Sequence, residues 1–357
     1  MAHERRLRNI NDIGIIAVGT PTIRDVAKLA KASIKTVSRV INQSTSVSEP
    51  MRERVMLAIA QLNYHPDPTA RSLSNSKTCA LGLVYDNPNA YYVIAMQQGA
   101  LSVCLETGYA LQIYPCDAST THIADRVLDF VHRTRLAGLI LLPPMSEDTV
   151  LLGKLTASGI PFVRVISAAT DPEGDLPCVF IDDRDAAYAT TEHLIRLGHT
   201  RIGFLWGRKQ FGSSTERYAG YQQALRDYGI KQSKPLVVDG DYTFDDGFRG
   251  AHRLLSLTWR PTAIFASNDE IAAGALAAAR AAGLNVPFDL SIAGFEDSPF
   301  SRHSWPPLTT SRQRTDIVAE HATRLLIATL RGNPVKNESF APELVVRGST
   351  APPQQQR

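Results

Sequence analysis

The residues with the clearest chemical potential lie close together near the start of the chain. Lys35 and Arg39 are four residues apart, with the short donors Thr36, Ser38 and Asn42 beside them. On a helix this spacing places both cations on one face, one turn apart. An arginine can donate two hydrogen bonds to guanine O6 and N7, a lysine can reach the same edge, and short donors suit phosphates. The pattern indicates a surface that reads DNA.

The carboxylate pair Glu296-Asp297 is the best candidate for general acid–base chemistry. No nucleophile or set of metal ligands accompanies it, and the sequence contains no GxxxxGK[ST], GxSxG or HExxH motif. His199 follows Gly198 and is predicted to lie at a helix end rather than to act as a base. We therefore expect no catalytic residue, no metal and no cofactor, and we expect Glu296 to hydrogen-bond a ligand.

Helical periodicity predicts three short helices around the basic residues. Thr22 is predicted to cap the first helix, Ser33 the second, from Ile34 to Ile41, and Ser48 the third. Their inner faces are predicted to be apolar: Ile23, Val26, Ala27 and Ala30, then Val37, Val40 and Ile41, then Met51, Val55, Ala58, Ile59 and Leu62. Two short helices joined by a tight turn, the second basic outside, form a helix-turn-helix. The alternative is a three-helix bundle whose exposed face is merely polar.

The distribution of charge supports the DNA-reading interpretation. Residues 1–77 contain 12 Lys/Arg and 6 Asp/Glu, a net charge of +6, whereas the remaining 280 residues contain 26 and 29, a net charge of −3. A small basic domain attached to a mildly acidic body is typical of a nucleic-acid binder with a separate sensing domain.

The rest of the chain is predicted to be an α/β structure. Apolar runs predict strands at 80–85, 110–114, 137–142, 161–166, 178–181, 201–206, 235–238, 262–266, 290–293 and 343–346. Helices fall between them, notably at 95–107, 186–197, 218–228 and 271–282. This alternation predicts parallel sheets with helices on both faces. About ten strands are many for one sheet, so two lobes with a cleft between them are expected.

The first helices closely resemble the DNA-binding headpiece of the lactose-repressor/galactose-repressor (LacI/GalR) family. The resemblance is carried by Thr22-Ile-Arg-Asp-Val-Ala-Lys-Leu-Ala-x-x-Ser-x-x-Thr-Val-Ser-Arg-Val-Ile-Asn42, Val47-Ser, Arg52-x-Arg-Val55, Leu62-Asn-Tyr-His-Pro66 and Ala70-Arg-Ser-Leu73. It implies a hinge helix at 68–74, whose Leu73 would insert between base steps from the minor groove. The DNA contacts it suggests are Thr22, Lys31, Ser33, Ile34, Lys35, Thr36, Ser38, Arg39, Asn42, Ala70 and Leu73, with base reading by Ile34, Lys35 and Arg39.

The resemblance extends to about residue 349. It is carried by 191–203, by Glu216-Arg-Tyr-Ala-Gly-Tyr221, by 263–274 and by Leu290-Ser-Ile-Ala-Gly-Phe-Glu-Asp297. It implies a bilobed effector-binding core similar to periplasmic sugar-binding proteins. The ligand contacts it suggests are Arg217, Asn268 and Glu296 for hydroxyl groups, Asp86 or Asn89 from a polar loop, and Tyr91, Tyr92, Tyr242 or Phe244 for stacking. The tyrosines are equally consistent with ordinary packing.

The sequence departs from the family pattern at two places. Lys31 stands in the helix-turn-helix turn, where the family usually has Gly, and a side chain in a left-handed conformation costs about 1 kcal/mol, so we expect a slightly reshaped turn or an added phosphate contact. Ile166-Ser167 replaces the Asp or Asn that often follows the strand at 161–165, and Arg164 in that strand is atypical. These differences leave the ligand open: a sugar is the main hypothesis, and a purine or nucleotide corepressor is the alternative.

Together these features predict an N-terminal helix-turn-helix headpiece and hinge helix joined to a bilobed core of two parallel-sheet lobes. The predicted segments are an extension at 1–20, the headpiece at 21–66, the hinge at 67–77, the core at 78–349 and a disordered tail at 350–357. We expect a cytoplasmic repressor of carbohydrate genes that binds a pseudo-palindromic operator as a homodimer, with no membrane segment. The scattered cysteines fit a reducing compartment, and the short polar tail does not suit a tetramer-forming helix. A solute receptor and a sugar-processing enzyme are the alternative classes.

Overall fold

A computed structural model describes residues 21–41, 46–64, 79–167 and 176–354. The chain divides into two compact units, residues 1–77 and 78–357. The predicted extension at 1–20, the hinge at 67–77 with Ala70 and Leu73, and Asn42 all lie outside the described residues.

The first unit contains three helices, α1 (Ile23–Leu29), α2 (Ile34–Ile41) and α3 (Glu49–Gln61). Their inward side chains are those that periodicity predicts, and Val26, Val37 and Val55 are fully buried. The Asp25 carboxylate accepts hydrogen bonds from the N–H (2.8 Å) and hydroxyl (2.7 Å) of Thr22, which fixes the start of α1. Ser33 Oγ accepts from the N–H of Thr36 at 3.0 Å and so caps α2. Both predicted caps are confirmed.

The first lobe of the second unit is a six-stranded parallel sheet. Its strands are β1 (Ala80–Tyr85), β2 (Ala110–Pro115), β3 (Gly138–Leu141), β4 (Phe162–Ile166), β5 (Cys178–Ile181) and β11 (Glu338–Phe340), in the order β2-β1-β3-β4-β5-β11. Its helices are α4 (Ala90–Thr107), α5 (Ile123–Thr134), α6 (Thr149–Ala157) and α12 (Thr315–Leu330). Apolar side chains cover both faces of the sheet, as a parallel sheet requires.

The second lobe repeats this architecture. Its strands are β6 (Ile202–Leu205), β7 (Val237–Val238), β8 (Ala263–Ala266), β9 (Ser291–Glu296), β10 (Thr309–Arg312) and β12 (Glu343–Val345), in the order β7-β6-β8-β9-β10-β12. Its helices are α7 (Asp183–Arg196), α8 (Gly212–Asp227), α9 (Phe244–Leu255), α10 (Asp269–Ala281) and α11 (Pro299–His303). The pairs within it are parallel except β10 with β12.

The chain passes between the lobes three times, after β5, after β10 and between β11 and β12. The carboxyl ends of the strands of both lobes therefore meet at one cleft, which is where α/β sheets bind ligands. The predicted α/β fold with two parallel-sheet lobes is confirmed.

Three details differ from the sequence predictions. Strands β10 and β11 are absent from the predicted set because they consist largely of polar residues, Thr-Thr-Ser-Arg and Glu-Ser-Phe. The Ser48 side chain makes no capping hydrogen bond, although Ser48 is the N-cap of α3. Ala351, in the segment predicted as a disordered tail, is hydrogen-bonded to the second lobe, because its N donates to Ser291 Oγ (3.0 Å). The carbonyl oxygen of Ala351 also lies 2.9 Å from Nε2 of buried His199.

Candidate functional site

The outer face of α2 presents a compact set of exposed side chains. Ser33, Ile34, Lys35 and Arg39 are exposed, whereas Thr36 and Ser38 are half-buried. Ile34 is 47% exposed, so an aliphatic side chain is available on this face as well. Lys35 and Arg39 lie one turn apart on α2, as the sequence pattern predicts. The face can offer cationic donors and one apolar contact to a groove of DNA.

The turn that positions α2 is strained at Lys31. Its φ is +50°, in the left-handed region that disfavours a side chain with a Cβ, and it is exposed. The next residue is held by a hydrogen bond from Ala32 N to Ala27 O at 3.0 Å. Lys31 therefore adopts the left-handed conformation, and the turn is not reshaped to avoid the strain.

In the second unit a narrow cavity lies between the two lobes. The first lobe and the crossover supply Asn87, Asn89, Tyr92, Pro143, Ser167, Ile181 and Gln313, and the second lobe supplies Phe211, Ser213, Arg217, Tyr242 and Glu296. Most follow the carboxyl ends of β1, β3, β4, β6 and β9 or lie in the first turn of a helix. We refer to this space as the inner cavity.

A buried guanidinium and two carboxylates form the charged part of the inner cavity. Arg217 Nε donates to Asp183 Oδ1 at 3.1 Å, and its Nη1 donates to the carbonyl oxygen of Ser267 at 2.6 Å. Glu296 Oε1 lies 3.8 Å from Arg217 Nη1, and the ring of Phe295 lies 3.9 Å below the guanidinium. Much of the donor capacity of Arg217 is therefore used within the protein.

The burial of these acids changes their titration. Burial raises the pKa of Glu296 to about 8, although nearby Arg217 acts in the opposite direction. Burial also raises the pKa of Asp183, again against the effect of Arg217. Gln313 Nε2 donates to Asp183 Oδ1 at 2.8 Å, and no donor within the described part of the chain reaches the buried Gln313 Oε1. A buried acceptor at a cavity wall is suited to a donor from a ligand.

Asn89 links the two lobes across the inner cavity. Its Oδ1 accepts from the N–H groups of Tyr91 (3.1 Å) and Tyr92 (3.2 Å), which caps α4. Its Nδ2 donates to Glu296 Oε2 in the opposite lobe at 2.5 Å. One side chain therefore fixes the start of a helix in the first lobe and holds the carboxylate of the second.

Glu296 and Asp297 point their carboxylates in different directions. Both have positive φ, 105° and 59°, so the backbone at the end of β9 is strained. Asp297 pairs with Arg312 Nε (2.7 Å) and Arg347 Nη2 (2.6 Å), and its pKa is lowered by the hydrogen bonds it accepts, against the effect of burial. Only Glu296 faces the inner cavity, so the two residues do not form an acid–base pair.

Tyr242 forms the aromatic part of the second-lobe wall. Its hydroxyl lies 2.6 Å from Ser214 Oγ and 3.3 Å from Ser213 Oγ. Its ring rests directly on Gly207, where a Cβ would lie 2.2 Å from Tyr242 Cζ. The glycine is therefore required for this ring position.

Four of the sequence-predicted ligand residues do not line the inner cavity. Asn268 is fully buried and caps α10, because its Oδ1 accepts from Ile271 N at 2.8 Å. Phe244 is the first residue of α9 and is 38% exposed, and Tyr91 packs edge-on against Phe300. Asp86 lies further out, where it pairs with Arg208. The structure brings Tyr92, Arg217, Tyr242 and Glu296 together, and it also places Asn89 there.

The sequence analysis missed Asp183, Phe211, Ser213 and Gln313. Asp183 is the first residue of α7, two positions after β5, and its position after a predicted strand is a signal that could have identified it. Gln313 follows β10, which its polar sequence hides, and Phe211 and Ser213 lie at the start of α8, outside the predicted helix at 218–228.

The described residues contain neither a cluster of metal ligands nor a membrane-spanning helix. No group of three or more His, Cys, Asp or Glu side chains in them could hold a metal ion. No helix in the same ranges is both long and apolar enough to cross a membrane.

Two family models match this chain. Residues 22–67 match the bacterial regulatory proteins of the lacI family, and residues 191–350 match the periplasmic binding protein-like domain.

Curated relatives span almost the whole chain. The HTH-type transcriptional repressor PurR of Haemophilus influenzae is 33% identical over 337 residues, covering 92% of this chain and 98% of that protein. The HTH-type transcriptional regulator GalR of Escherichia coli is 34% identical over 337 residues, covering 93% and 96%.

Solved structures agree with these relationships. The lac repressor dimer bound to operator and the anti-inducer ONPF superimposes with a TM-score of 0.80 at 26% identity, covering 93% of this chain and all of that one. The transcriptional regulator CelR in complex with cellobiose gives a TM-score of 0.70 at 29% identity, covering 92% and 99%. This chain belongs to the LacI/GalR family and is a transcriptional regulator with a helix-turn-helix DNA-binding domain.

Proposed function

We propose that the protein is a cytoplasmic repressor that binds a pseudo-palindromic operator as a homodimer and is released from it by an uncharged sugar bound in the inner cavity. The observation that carries this proposal is the inner cavity itself, where carboxylate, guanidinium and amide groups from both lobes converge beside aromatic rings.

On the DNA side, Ile34, Lys35 and Arg39 read base edges in the major groove. Their exposure on α2 supports this role, because direct readout needs side chains that reach beyond the helix surface. Thr22, Lys31, Ser33, Thr36, Ser38 and Asn42 contact phosphates, and Ala70 and Leu73 act in the minor groove through the hinge.

The dimer is supported by an apolar stripe on α4. Tyr91, Ile94, Leu101 and Leu105 are 41%, 47%, 45% and 74% exposed, and their spacing places them along one side of the helix. An exposed stripe of this kind indicates a surface that is covered by another protein chain. The lac repressor of known structure is likewise a dimer on its operator.

The effector acts by changing how the lobes are held together. The inner cavity has only about 20 Å³ of free space, so a sugar ring would have to displace the contact of Asn89 with Glu296. A ligand that replaces this contact has one affinity for the arrangement of the lobes with the contact and another for the arrangement without it. Such a difference is the condition for coupling between ligand binding and DNA binding.

The chemistry of the inner cavity favours a sugar over a purine. Glu296 and Gln313 can accept from hydroxyl groups, and Tyr92 and Tyr242 can cover an apolar sugar face. A purine base that stacks between two aromatic rings needs rings that are nearly parallel. Phe211 and Tyr242 are instead tilted by 43°, with their centroids 5.9 Å apart. A purine-responsive corepressed regulator remains the second candidate, because PurR repressors are among the relatives.

The test is binding of the full chain to DNA fragments from upstream of its own gene and neighbouring genes, at fixed salt. Each fragment is measured alone and with a panel of neutral mono- and disaccharides, sugar phosphates, hypoxanthine and guanine. Selective binding that one neutral sugar weakens at least tenfold supports the proposal. Binding that a purine strengthens supports the second candidate, and an absence of selective binding contradicts both.

A further inference from the structure

We propose that the effector is an uncharged saccharide of at least two rings, whose second ring occupies a separate subsite at the mouth of the interlobe cleft. This inference rests on the proposed function and specifies the ligand class of the same regulator. The subsite, which we call the outer cavity, is bordered by Asp86, Asp117, Arg208, Gln210, Phe211 and Asp241.

The outer cavity is built by both lobes at the carboxyl ends of their strands. Asp86 follows β1 and Asp117 follows β2 in the first lobe, whereas Arg208 follows β6 and Asp241 follows β7 in the second. Its volume is about 620 Å³, against about 20 Å³ for the inner cavity. Small-molecule sites have volumes of roughly 300–1,000 Å³, so the outer cavity has room for a sugar ring as it stands.

The two cavities share one side chain. Phe211 lines both of them and is almost fully buried, and the Arg208 guanidinium lies 5.7 Å from its ring centre. A ligand that extends outward from the inner cavity along Phe211 therefore enters the outer one.

The polar groups of the outer cavity are arranged in alternating donors and acceptors. Asp86 Oδ2 accepts from Ala118 N at 3.0 Å, and its Oδ1 lies 3.4 Å from Arg208 Nη1. Arg208 also pairs with Asp241, and Asp117 Oδ1 accepts from the N–H of Ser119 at 2.9 Å. An ionised carboxylate has about four acceptor sites, so these acids can also accept from sugar hydroxyls.

The charge of the outer cavity selects against anions. Three carboxylates, those of Asp86, Asp117 and Asp241, face one guanidinium, that of Arg208, which leaves an excess of negative charge at the outer cavity. A sugar phosphate, a sugar acid or a nucleotide would meet like charge there, whereas a neutral saccharide would not.

The experiment compares binding of disaccharides and their component monosaccharides to the full chain by titration calorimetry. The probes are cellobiose, lactose, maltose, glucose, galactose and glucose 6-phosphate. Two variants at neighbouring exposed residues are compared, Gln210→Trp, which fills the outer cavity, and Lys209→Trp, which adds the same ring at a position that does not border it. Asp117→Asn serves as a third variant that removes one acceptor charge without filling the cavity.

The expected result is that one disaccharide binds at least tenfold more tightly than its monosaccharides and that glucose 6-phosphate does not bind. Gln210→Trp should abolish this advantage and leave monosaccharide affinity within threefold, and Lys209→Trp should preserve the advantage. Asp117→Asn should weaken the disaccharide alone. A monosaccharide that binds as tightly as any disaccharide, with no effect of Gln210→Trp, overturns the outer subsite and leaves the sugar-responsive repressor intact. Binding of no saccharide, or operator control by a purine alone, overturns both.

Discussion

At the scale of a residue, Lys31 adopts a backbone conformation that its own side chain disfavours. Its φ of +50° strains the turn between α1 and α2 by about 1 kcal/mol, because a Cβ is disfavoured in the left-handed region. We expect Lys31→Gly to relieve the strain and to slow amide hydrogen exchange in α1 and α2 of the full chain by about fivefold. Exchange measured by mass spectrometry provides the test.

The matched control for this prediction is Lys31→Ala, which removes the charge but keeps the Cβ. Both variants should lower the salt dependence of DNA binding by about one unit of slope if Lys31 contacts a phosphate. Only the glycine variant should slow exchange. Equal exchange rates in both variants would show that the turn is not strained.

At the scale of an element, α2 has a buried face and, opposite to it, the face that we propose reads DNA. Val37 and Val40 are buried, whereas Lys35 and Arg39 are exposed. We expect Lys35→Ala to weaken binding to the selected operator by about 1–3 kcal/mol and to relax the preference at one base position. The variant should fold normally, because Lys35 makes no contribution to the buried face. Binding to operators with single base changes measures the effect.

The control for this prediction is Lys28→Ala, which removes an equally exposed cation from the last turn of α1. It should weaken binding to all sequences by the same small factor. If Lys35→Ala behaves in the same way, Lys35 contacts only phosphate and base reading on α2 must come from its other exposed side chains.

At the scale of the whole molecule, buried acids make stability depend on pH. The pKa of Glu296 is raised to about 8 and that of Asp269 to about 7, both by burial. In the unfolded chain these groups lose their protons near pH 4, so the folded state binds more protons between about pH 4 and 8. Through these two acids the free energy of unfolding should therefore fall as pH rises through this window, whereas His193 and His199, whose pKa values are lowered by burial, act in the opposite direction.

Glu296→Gln should make the free energy of unfolding fall less steeply, by up to about 1.4 kcal/mol per pH unit. The reason is that the folded state no longer binds one more proton at this position than the unfolded state does. Urea unfolding followed by tryptophan fluorescence reports on the second unit, since Trp206, Trp259 and Trp305 all lie there. An identical pH slope in Glu296→Gln and the parent chain would contradict the buried, protonated assignment.

The sequence by itself determined the headpiece almost completely. Its helices are set by local signals, namely the caps at Thr22 and Ser33 and the spacing of Val26, Val37 and Val55. The motif string at 22–42 also identified the family, because its residues lie close together along the chain. The alternating apolar runs likewise determined the two-lobed α/β class, since buried parallel strands are marked by their own composition.

Only the tertiary structure decided which side chains meet around the inner cavity. Asn89 and Glu296 are 207 positions apart, and Asp183, Arg217 and Gln313 meet only because the chain crosses between the lobes. Asn268 carries the expected residue type but is fully buried as the N-cap of α10, so it does not line the inner cavity. Local signals fix the elements because they act within one turn or strand, whereas a cleft depends on the crossovers that bring distant strand ends together.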